Sequence, residues 1–249
     1  MPAALIAGTL IYDLPGVTLE ERSVDTPFGE TLLYDIRGAE SEIVFLPRHG
    51  LSHDTPPHKI NYRANIKALE MLGVKRALAV NAVGSINQDV PPLDMVVLSD
   101  FLDFTSGREA TFFDGGERGV KHVDMSEPYC PYLREHLLEA APSYASTLHS
   151  RGVYVCTNGP RLESPAEIKM FAQLGGDVVG MTGLPEAVLA REANICYASV
   201  GFSINWAAGF QDTIEFTEDG EGLQRMKDDL LDLLLEVLVT TSDAECCHT

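Results

Sequence analysis

Short apolar runs rich in β-branched residues alternate along the chain with longer segments of helical periodicity. The runs have the length and composition of strands, and they predict strands over residues 5–8, 43–47, 77–82, 95–99, 153–156, 178–181 and 196–204. Most are apolar at consecutive positions, so both faces of each strand must be buried. This pattern is typical of a central sheet covered by helices on both sides.

Other segments carry apolar residues at helical spacing and predict helices over residues 61–72, 131–140, 165–174, 185–192 and 221–239. In the last of these an apolar stripe is formed by Leu223, Met226, Leu230, Leu234 and Val237. We expect this helix to pack across the sheet and close the fold. The acidic, glycine-containing segment 212–221 before it is predicted to be a loop of the kind that covers a ligand site.

The order of these elements predicts a single α/β domain over residues 1–240, followed by a polar, disordered tail over residues 241–249. The chain has 249 residues and is 45% apolar, which suffices for one sizeable core. It shows no internal repeat, low-complexity tract or interdomain linker. The predicted architecture is a central mixed, twisted β-sheet flanked by helices on both faces.

The chain carries 37 acidic and 18 basic residues, scattered along its length, for a formal net charge of -19. An acidic surface repels nucleic acid and anionic membranes, so we expect neither as a partner. Adaptation to a salty cytoplasm is a second explanation of the same charge. The sequence shows no basic and apolar leader and no apolar run of about 18 residues, so a cytoplasmic location is expected.

The five cysteines predict neither a disulfide framework nor a zinc site, because their number is odd and they lack C-x-x-C spacing. Cys130, Cys156 and Cys196 are expected to be small buried residues. Cys246-Cys247-His248 has the chemistry of a metal ligand set, but residues at a polar terminus are more often disordered. We therefore expect no metal there.

Residues suited to binding an anion occur at the predicted carboxyl ends of several strands, where open α/β sheets collect ligands. Gly8-Thr9 offers backbone amides and a hydroxyl after the first strand. Arg48-His49 follows the second strand, and a planar guanidinium can hold two phosphate oxygens. Both motifs are short, and an ordinary turn or a surface pair explains each of them when it is taken alone.

Two further strand ends offer donors in the same region. Asn81-Ala82 opens a segment that is predicted to turn through Gly84, with polar backbone near the same anion. Thr182 lies between a strand and Pro185, where its hydroxyl either caps the following helix or binds phosphate. An ordinary β-turn is an equally good explanation of the first motif.

Two histidines, His53 and His58, lie near Pro56 and Pro57 in a segment that is predicted to be a loop facing a ligand. A histidine pair suggests a metal. However, no carboxylate or third histidine has the spacing that would complete the ligand set. Metal binding is therefore not expected in this loop.

A carboxylate and a carboxamide lie near the ends of two further strands. Glu163 belongs to the segment 156–164, and Asn205 follows Ser203-Ile204 about forty residues later. A 6-oxopurine presents an N1–H donor and an O6 acceptor, so Glu163 can accept from N1 while the Asn205 amide donates to O6 or N7. Adenine presents the reverse pattern, and a buried mismatch of this kind costs on the order of ten-thousandfold in selectivity. Without further information, a turn residue and a surface charge near a helix start are the simpler explanations.

Six motifs, in this order along the chain, resemble the trimeric purine nucleoside phosphorylase family, in its methylthioadenosine/methylthioinosine phosphorylase branch. They are Arg48-His49-Gly50, Asn61-Tyr62-Arg63-Ala64-Asn65, Asn81-Ala82-Val83-Gly84, Gly159-Pro160-Arg161, Gly180-Met181-Thr182 and Pro185-Glu186-Ala187-Val188-Leu189-Ala190. The likeness extends from residue 5 to residue 238. It implies the nucleoside phosphorylase fold and a phosphorolysis, in which inorganic phosphate attacks C1′ of a purine nucleoside. The products are the free base and ribose 1-phosphate or its 5-methylthio analogue. A homotrimer with active sites at the subunit interfaces is also implied, with no metal or organic cofactor.

The resemblance also assigns site residues. Those that resemble the phosphate contacts are Thr9, Arg48, His49, Asn81, Ala82 and Thr182. Met181 resembles the residue against the ribose ring, His53 resembles a position near the ribose, and Leu162 is placed with the substrate-binding residues. His122 resembles the residue that a neighbouring subunit lends to the 5′ pocket. Glu163 and Asn205 are the expected catalytic pair at the base.

The pair Glu163 and Asn205 resembles the 6-oxopurine branch. Relatives that cleave 6-aminopurines resemble this chain but carry Asp at position 205 and a second Asp at the position of Ala207. The resemblance therefore implies a preference for hypoxanthine or guanine nucleosides. The alternatives are an S-methyl-5′-thioadenosine phosphorylase and a general inosine/guanosine phosphorylase.

The chain departs from the family pattern at three places. Ala7-Gly8-Thr9-Leu10 has bulkier residues where relatives have Gly-Gly-Thr-Gly, Asn158 replaces an acidic residue or glutamine, and the segment 212–221 is acidic. Glu218 favours a 5′-hydroxyl group, whereas a 5′-methylthio group would be covered by Phe210, Ile214 or Phe216. We expect methylthioinosine as the preferred substrate. A nucleosidase that uses water and a non-catalytic nucleoside-binding protein are the rival classes.

Overall fold

The computed structural model describes residues 2–8, 11, 14, 16–38, 42–216 and 220–242. Its strands are β1 (Ala3–Ala7), β2 (Thr18–Thr26), β3 (Gly29–Arg37), β4 (Ile43–Pro47), β5 (Arg76–Ser85), β6 (Met95–Asp103), β7 (Leu148–Cys156), β8 (Val178–Gly180) and β9 (Cys196–Trp206). Its α-helices are α1 (Tyr62–Met71), α2 (Pro131–Ala140), α3 (Pro165–Gln173), α4 (Glu186–Glu192) and α5 (Gly220–Thr240). Every predicted strand and helix is present, and several strands are longer than predicted.

The described strands form a mixed sheet in the order β2-β3-β4-β1-β5-β8-β7-β6-β9. In the centre, β1 pairs in parallel with β4 and β5, while β8 runs antiparallel to β5. Because β9 pairs with β5 as well as with β6, strands β5, β8, β7, β6 and β9 close into a barrel. The mixed sheet is confirmed, and its closure into a barrel is a feature that the sequence did not predict. Within the barrel, Val179 of β8 lies opposite Gly84 of β5.

Helices cover both faces of this sheet, as predicted. One face packs against α1 and α4, with Ile66 and Leu189 in its core. The other packs against α2 and α5, with Leu133 in its core. The predicted apolar stripe of α5 lies on this second face, and its buried members are Met226, Leu230, Leu234 and Val237.

β2 and β3 form a hairpin that the hydrophobic pattern did not predict. β2 is polar and mostly exposed, and it lies at an edge of the sheet. It pairs with β3 along its whole length, from Thr18 opposite Arg37 to Thr26 opposite Gly29. An ion pair of 2.6 Å between Arg22 and Asp35 joins the two strands. Cross-strand pairs of opposite charge stabilise such ribbons, so this strand forms without a buried face.

The predictions made from composition have mixed outcomes. Cys130, Cys156 and Cys196 are buried, as expected. None of the described helices is long and apolar enough to cross a bilayer. Residues 243–249, with Cys246 and Cys247, lie outside the described part of the chain. Thr241, which was assigned to the tail, is buried and donates to the Val237 carbonyl at 2.6 Å.

Candidate active site

A cleft of about 340 Å³ lies where β5, β8 and β9 meet the loop that follows β4. This volume is typical of small-molecule sites, which span about 300–1,000 Å³. The predicted site residues that line it are Arg48, His49, His53, Ala82, Leu162, Glu163, Met181, Thr182 and Asn205. Asn81 is buried and does not line the cleft, and His122 is exposed on the surface. Thr9 lies outside the described residues, so its assignment stays a prediction.

Arg48 directly follows β4 and forms a buried ion pair with Glu186, the first residue of α4. Its Nε donates to Oε2 of Glu186 at 2.9 Å, its Nη2 donates to Oε1 at 2.7 Å, and its Nη1 donates to the Val80 carbonyl at 2.6 Å. Burial opposes the charge of Arg48, but the Glu186 carboxylate outweighs it and raises the pKa of the guanidinium. Tyr197 donates a further hydrogen bond to Glu186 at 2.8 Å. The guanidinium of Arg48, which was predicted to hold two phosphate oxygens, thus has two of its N–H groups bound to Glu186. Of the five N–H donors of a guanidinium, these bonds leave one on each terminal nitrogen.

His49, the next residue, is held as a neutral imidazole. Its Nδ1 lies 2.8 Å from the Thr55 carbonyl, which can only accept, so Nδ1 carries the hydrogen. Burial, together with the nearby Arg48 charge, lowers the pKa of His49 to about 4. Nε2 is therefore a hydrogen-bond acceptor. Gly8 at the end of β1 packs against this ring, since a Cβ at position 8 would lie 2.9 Å from its Cδ2. Only glycine allows the backbone that follows β1 to come this close to the His49 ring.

The pKa of His49 predicts a pH dependence of stability. The ordinary pKa of 6.5 applies in the unfolded chain, whereas the folded pKa is about 4, so the unfolded chain binds more protons between these values. Stability that neutral His49 provides above pH 6.5 is therefore lost as the pH falls toward 4. His49→Asn keeps a donor for the Thr55 carbonyl but has no titrating group. We expect urea midpoints of this variant to fall less steeply over that interval than those of the wild type, and equal slopes would contradict the assignment.

Asn81 and Thr182 belong to an oriented chain of hydrogen bonds behind the cleft. The Thr182 hydroxyl donates to Oδ1 of Asn81 at 2.7 Å, and Nδ2 of Asn81 donates to the Ser199 hydroxyl at 2.7 Å. Ser199 in turn donates to the Ala79 carbonyl at 3.2 Å. The Thr182 proton thus points to Asn81 in this arrangement.

Three details of the predictions for Asn81, Gly84 and Thr182 are wrong. Asn81 does not end a strand, because β5 continues to Ser85. The turn expected through Gly84 is instead part of that strand, where its pairing with β9 shifts register between Val83 and Gly84. Thr182 does not cap α4, because that helix begins at Glu186 with Pro185 as its N-cap residue and no side-chain cap.

Glu163, in the loop after β7, and Asn205, near the end of β9, both line the cleft. The Thr157 hydroxyl donates to Oε1 of Glu163 at 2.6 Å. The Asn205 amide donates to the Trp206 carbonyl at 2.8 Å. Gly84 lies beneath this amide, and a Cβ there would be 3.1 Å from Nδ2. These bonds leave Oε2 of Glu163, with Oδ1 and one N–H of Asn205, for a ligand.

Arg108 is a structural residue of this site that the sequence did not indicate. It lies in the loop after β6, where Nη2 donates to the carbonyls of Thr157, Asn158 and Met181 at 3.2, 3.1 and 2.8 Å. Nη1 donates to the Leu184 carbonyl. One guanidinium therefore holds the loop after β7 and the loop after β8 together beneath the cleft. Its sequence neighbours, Ser106-Gly107 and Glu109, give no sign of this role.

The outer rim of the cleft carries His53 and an apolar group, whereas His58 is exposed and does not line the cleft. His53 is exposed at the rim with its ring centroid 4.6 Å from that of His49. Within the described ranges no three His, Cys, Asp or Glu side chains converge on a common point that could hold a metal ion. The apolar residues Leu162, Ile214 and Phe216 also line the cleft, and Phe216 is half exposed. The predicted Glu218 lies outside the described residues.

Comparison with known proteins connects this geometry to one family. A family model described as the phosphorylase superfamily matches residues 3–239. The chain is 48% identical over 241 residues to a probable 6-oxopurine nucleoside phosphorylase of Moorella thermoacetica, covering 96% of this chain and 92% of that protein. It is 46% identical over 241 residues to the 6-oxopurine nucleoside phosphorylase of Pyrococcus furiosus, covering 94% and 91%.

A second named activity occurs among the relatives. The chain is 53% identical over 199 residues to a probable S-methyl-5′-thioinosine phosphorylase of Methanopyrus kandleri, covering 80% of this chain and 77% of that protein. Among solved structures, a methylthioadenosine phosphorylase from Schistosoma mansoni in complex with tubercidin superposes with a TM-score of 0.86. Its sequence is 33% identical, and the match covers 95% of this chain and 90% of that one.

Proposed function

Because the chain belongs to the phosphorylase superfamily and is a purine nucleoside phosphorylase, we propose that it cleaves 6-oxopurine nucleosides, S-methyl-5′-thioinosine foremost, with inosine and guanosine as further substrates. In the reaction a phosphate oxygen forms a bond to C1′ while the C1′–N9 bond breaks. The bonding electrons move into the purine, which leaves as an anion and becomes the free base when it gains the proton that the phosphate carried. The sugar leaves as the 1-phosphate, bearing a 5-methylthio group when the substrate carries one.

The arrangement of Glu163 and Asn205 is the observation that supports this substrate class. Oε2 of Glu163 is an acceptor for N1–H of a 6-oxopurine, and the Asn205 amide is a donor for O6 or N7. Negative charge develops on the purine as the glycosidic bond breaks, so a donor at O6 or N7 stabilises the transition state more than the ground state. The named activities of the relatives at 46–53% identity agree with this assignment.

Phosphate is proposed to bind at the opposite end, beside Arg48, His49 and Thr182. The Glu186 carboxylate matches the charge of Arg48, so the site offers directed donors rather than a free cation. A phosphate that retains one proton fits these groups. Its ionised oxygens accept from the two remaining N–H groups of Arg48, while its hydroxyl donates to Nε2 of His49. Holding this nucleophile against C1′ supplies much of the catalysis by proximity.

The apolar rim favours a 5′-methylthio group over a 5′-hydroxyl. Leu162, Ile214 and Phe216 line the cleft and offer apolar surface on which a thiomethyl group can pack. A 5′-hydroxyl would need a polar partner there. Burial of a thiomethyl group against these side chains is worth about 1–3 kcal/mol, or 10- to 200-fold in selectivity.

Truncation of the rim tests the sugar preference. For Phe216→Ala we expect kcat/KM for methylthioinosine to fall about 10-fold, because apolar contact with the thiomethyl group is lost. The value for inosine should stay within about twofold. Phe104→Ala is a matched control, since Phe104 is an exposed phenylalanine that does not line the cleft. An equal fall for both nucleosides in Phe216→Ala would contradict a methylthio pocket at this rim.

Base release assayed with methylthioinosine, methylthioadenosine, inosine and guanosine, each with and without phosphate, tests the proposed function. We expect release from the oxopurine substrates that depends strictly on phosphate. Release without phosphate would indicate a nucleosidase, and cleavage of methylthioadenosine alone would indicate the 6-amino activity. Binding of hypoxanthine without turnover at saturating phosphate would indicate a non-catalytic binding protein.

We also propose a homotrimer, in which His122 reaches the 5′ pocket of a neighbouring subunit. His122 is exposed and lies away from the cleft of its own chain, as such an arrangement requires. Light scattering should then give three times the mass of one chain.

Inorganic phosphate is proposed to be the co-substrate, with no metal or organic cofactor, so exhaustive chelation should leave the rate unchanged.

A further inference from the structure

Thr157 contacts the residue on which base recognition depends. Its hydroxyl donates to Oε1 of Glu163 at 2.6 Å. We propose that Thr157 is a positioning residue that fixes Glu163 for the purine edge and thereby sets the preference for bases with N1–H. This inference rests on the proposed function, because it needs Glu163 to meet the base.

The backbone of Thr157 is fixed on both sides. Its N–H donates to the Gly180 carbonyl at 2.9 Å, at the point where β7 and β8 end side by side. Its carbonyl accepts from Nη2 of Arg108 at 3.2 Å. A β-branched side chain has few rotamers, so fixing the backbone also fixes the hydroxyl. Thr157 is therefore a rigid point from which a flexible carboxylate can be oriented.

Glu163 does not belong to a strand or helix that would fix its side chain in this way. It lies in the loop between β7 and α3, which becomes regular only at Ser164, where a capping box with Glu167 begins the helix. The guanidinium of Arg161 is bound to Glu167 at 2.9 and 2.7 Å, so it acts on Glu163 through its charge rather than through a hydrogen bond. Among the bonds described, the Thr157 hydroxyl is the one that holds the Glu163 carboxylate. A short hydrogen bond to a charged acceptor is stronger than a neutral one, so it is suited to this task.

The bond also gives the two carboxylate oxygens of Glu163 different roles. With Oε1 bound to Thr157, Oε2 is the oxygen that faces a base in the cleft. A purine with N1–H donates to it, whereas a purine whose N1 bears only a lone pair meets a second acceptor. If the carboxylate were free to turn away, that mismatch would be relieved. By fixing the carboxylate, Thr157 thus maintains both the favourable contact of Oε2 with N1–H and the unfavourable contact of Oε2 with an N1 lone pair.

The test compares two nucleosides with the same sugar, inosine and purine riboside, whose N1 has no hydrogen and which lacks O6. For Thr157→Val, which keeps the shape but removes the hydroxyl, we expect the inosine to purine riboside ratio of kcat/KM to fall about 10- to 100-fold. Thr157→Ser restores the donor and should keep the ratio within about threefold of the wild type. The KM for inorganic phosphate should be unchanged in both variants. Thr157→Ala provides the same comparison if valine prevents folding.

The outcomes separate this inference from the proposed function. An unchanged ratio in Thr157→Val, with the wild type cleaving inosine, overturns the role of Thr157 and leaves the function intact. An equal loss of both activities would show a merely structural role and also overturns it. A wild type that releases no base from any oxopurine nucleoside overturns the proposed function itself.

Discussion

Replacement of Glu186 by leucine is expected to lower the free energy of unfolding by about 3–5 kcal/mol. Both partners of the Arg48–Glu186 pair are almost fully buried, with side-chain exposure of 1% each. Removal of the carboxylate leaves the guanidinium charge buried and unpaired, and the Tyr197 hydroxyl loses its acceptor. Since a domain of this size loses about 2–4 °C in Tm per kcal/mol, the melting temperature should fall by about 6–20 °C.

Two further variants identify the cause of this loss. Tyr197→Phe removes the hydroxyl contact but keeps the ion pair, so it should cost only about 0.5–1.5 kcal/mol. The double variant Arg48→Met with Glu186→Leu leaves no unpaired charge and should recover most of the stability. Its requirement for phosphate should nevertheless rise sharply, because the donors of Arg48 are gone. A single Glu186→Leu variant as stable as the wild type in urea would show that the pair does not hold Arg48 in place.

The strands and helices could be predicted because most of them have a buried face. Apolar runs located the strands of the core, and the stripe of α5 located the closing helix. The hairpin of β2 and β3 could not be found in this way, because its strands are held by pairing and cross-strand charges at an edge. The closure of β9 onto β5 likewise depends on pairing between segments more than a hundred residues apart, which local periodicity does not report.

The residues of the cleft could be predicted by type, but their partners could not. A resemblance in short motifs placed Arg48, Glu163 and Asn205, and all three line one cleft. The contact between Arg48 and Glu186 spans 138 positions, and a sequence shows only that both residues are charged. Arg108 and Thr157 act through carbonyl groups and a single hydroxyl, so nothing in the local sequence distinguishes them from loop residues.

Replacement of Asn205 by aspartate is expected to shift the base preference from 6-oxopurines toward 6-aminopurines. The variant loses the N–H donor for O6 or N7, so kcat/KM for methylthioinosine should fall by about 10²- to 10³-fold, as for the loss of one transition-state donor. A carboxylate at this position can instead accept from the 6-amino group of methylthioadenosine. Cleavage of that nucleoside should rise, measured as base release at saturating phosphate with both substrates in parallel.

Asn205→Ala separates recognition from local structure. In the wild type the Asn205 amide also donates to the Trp206 carbonyl at 2.8 Å, and this bond is lost in both variants. Any general damage to the end of β9 is therefore common to them. Alanine offers neither donor nor acceptor, so we expect it to lose methylthioinosine cleavage without gaining methylthioadenosine cleavage. Because Ala207 lines the cleft two residues further on, adding Ala207→Asp to Asn205→Asp should raise the 6-amino activity again. Selectivity that is unchanged in Asn205→Asp would place base recognition elsewhere than at Asn205.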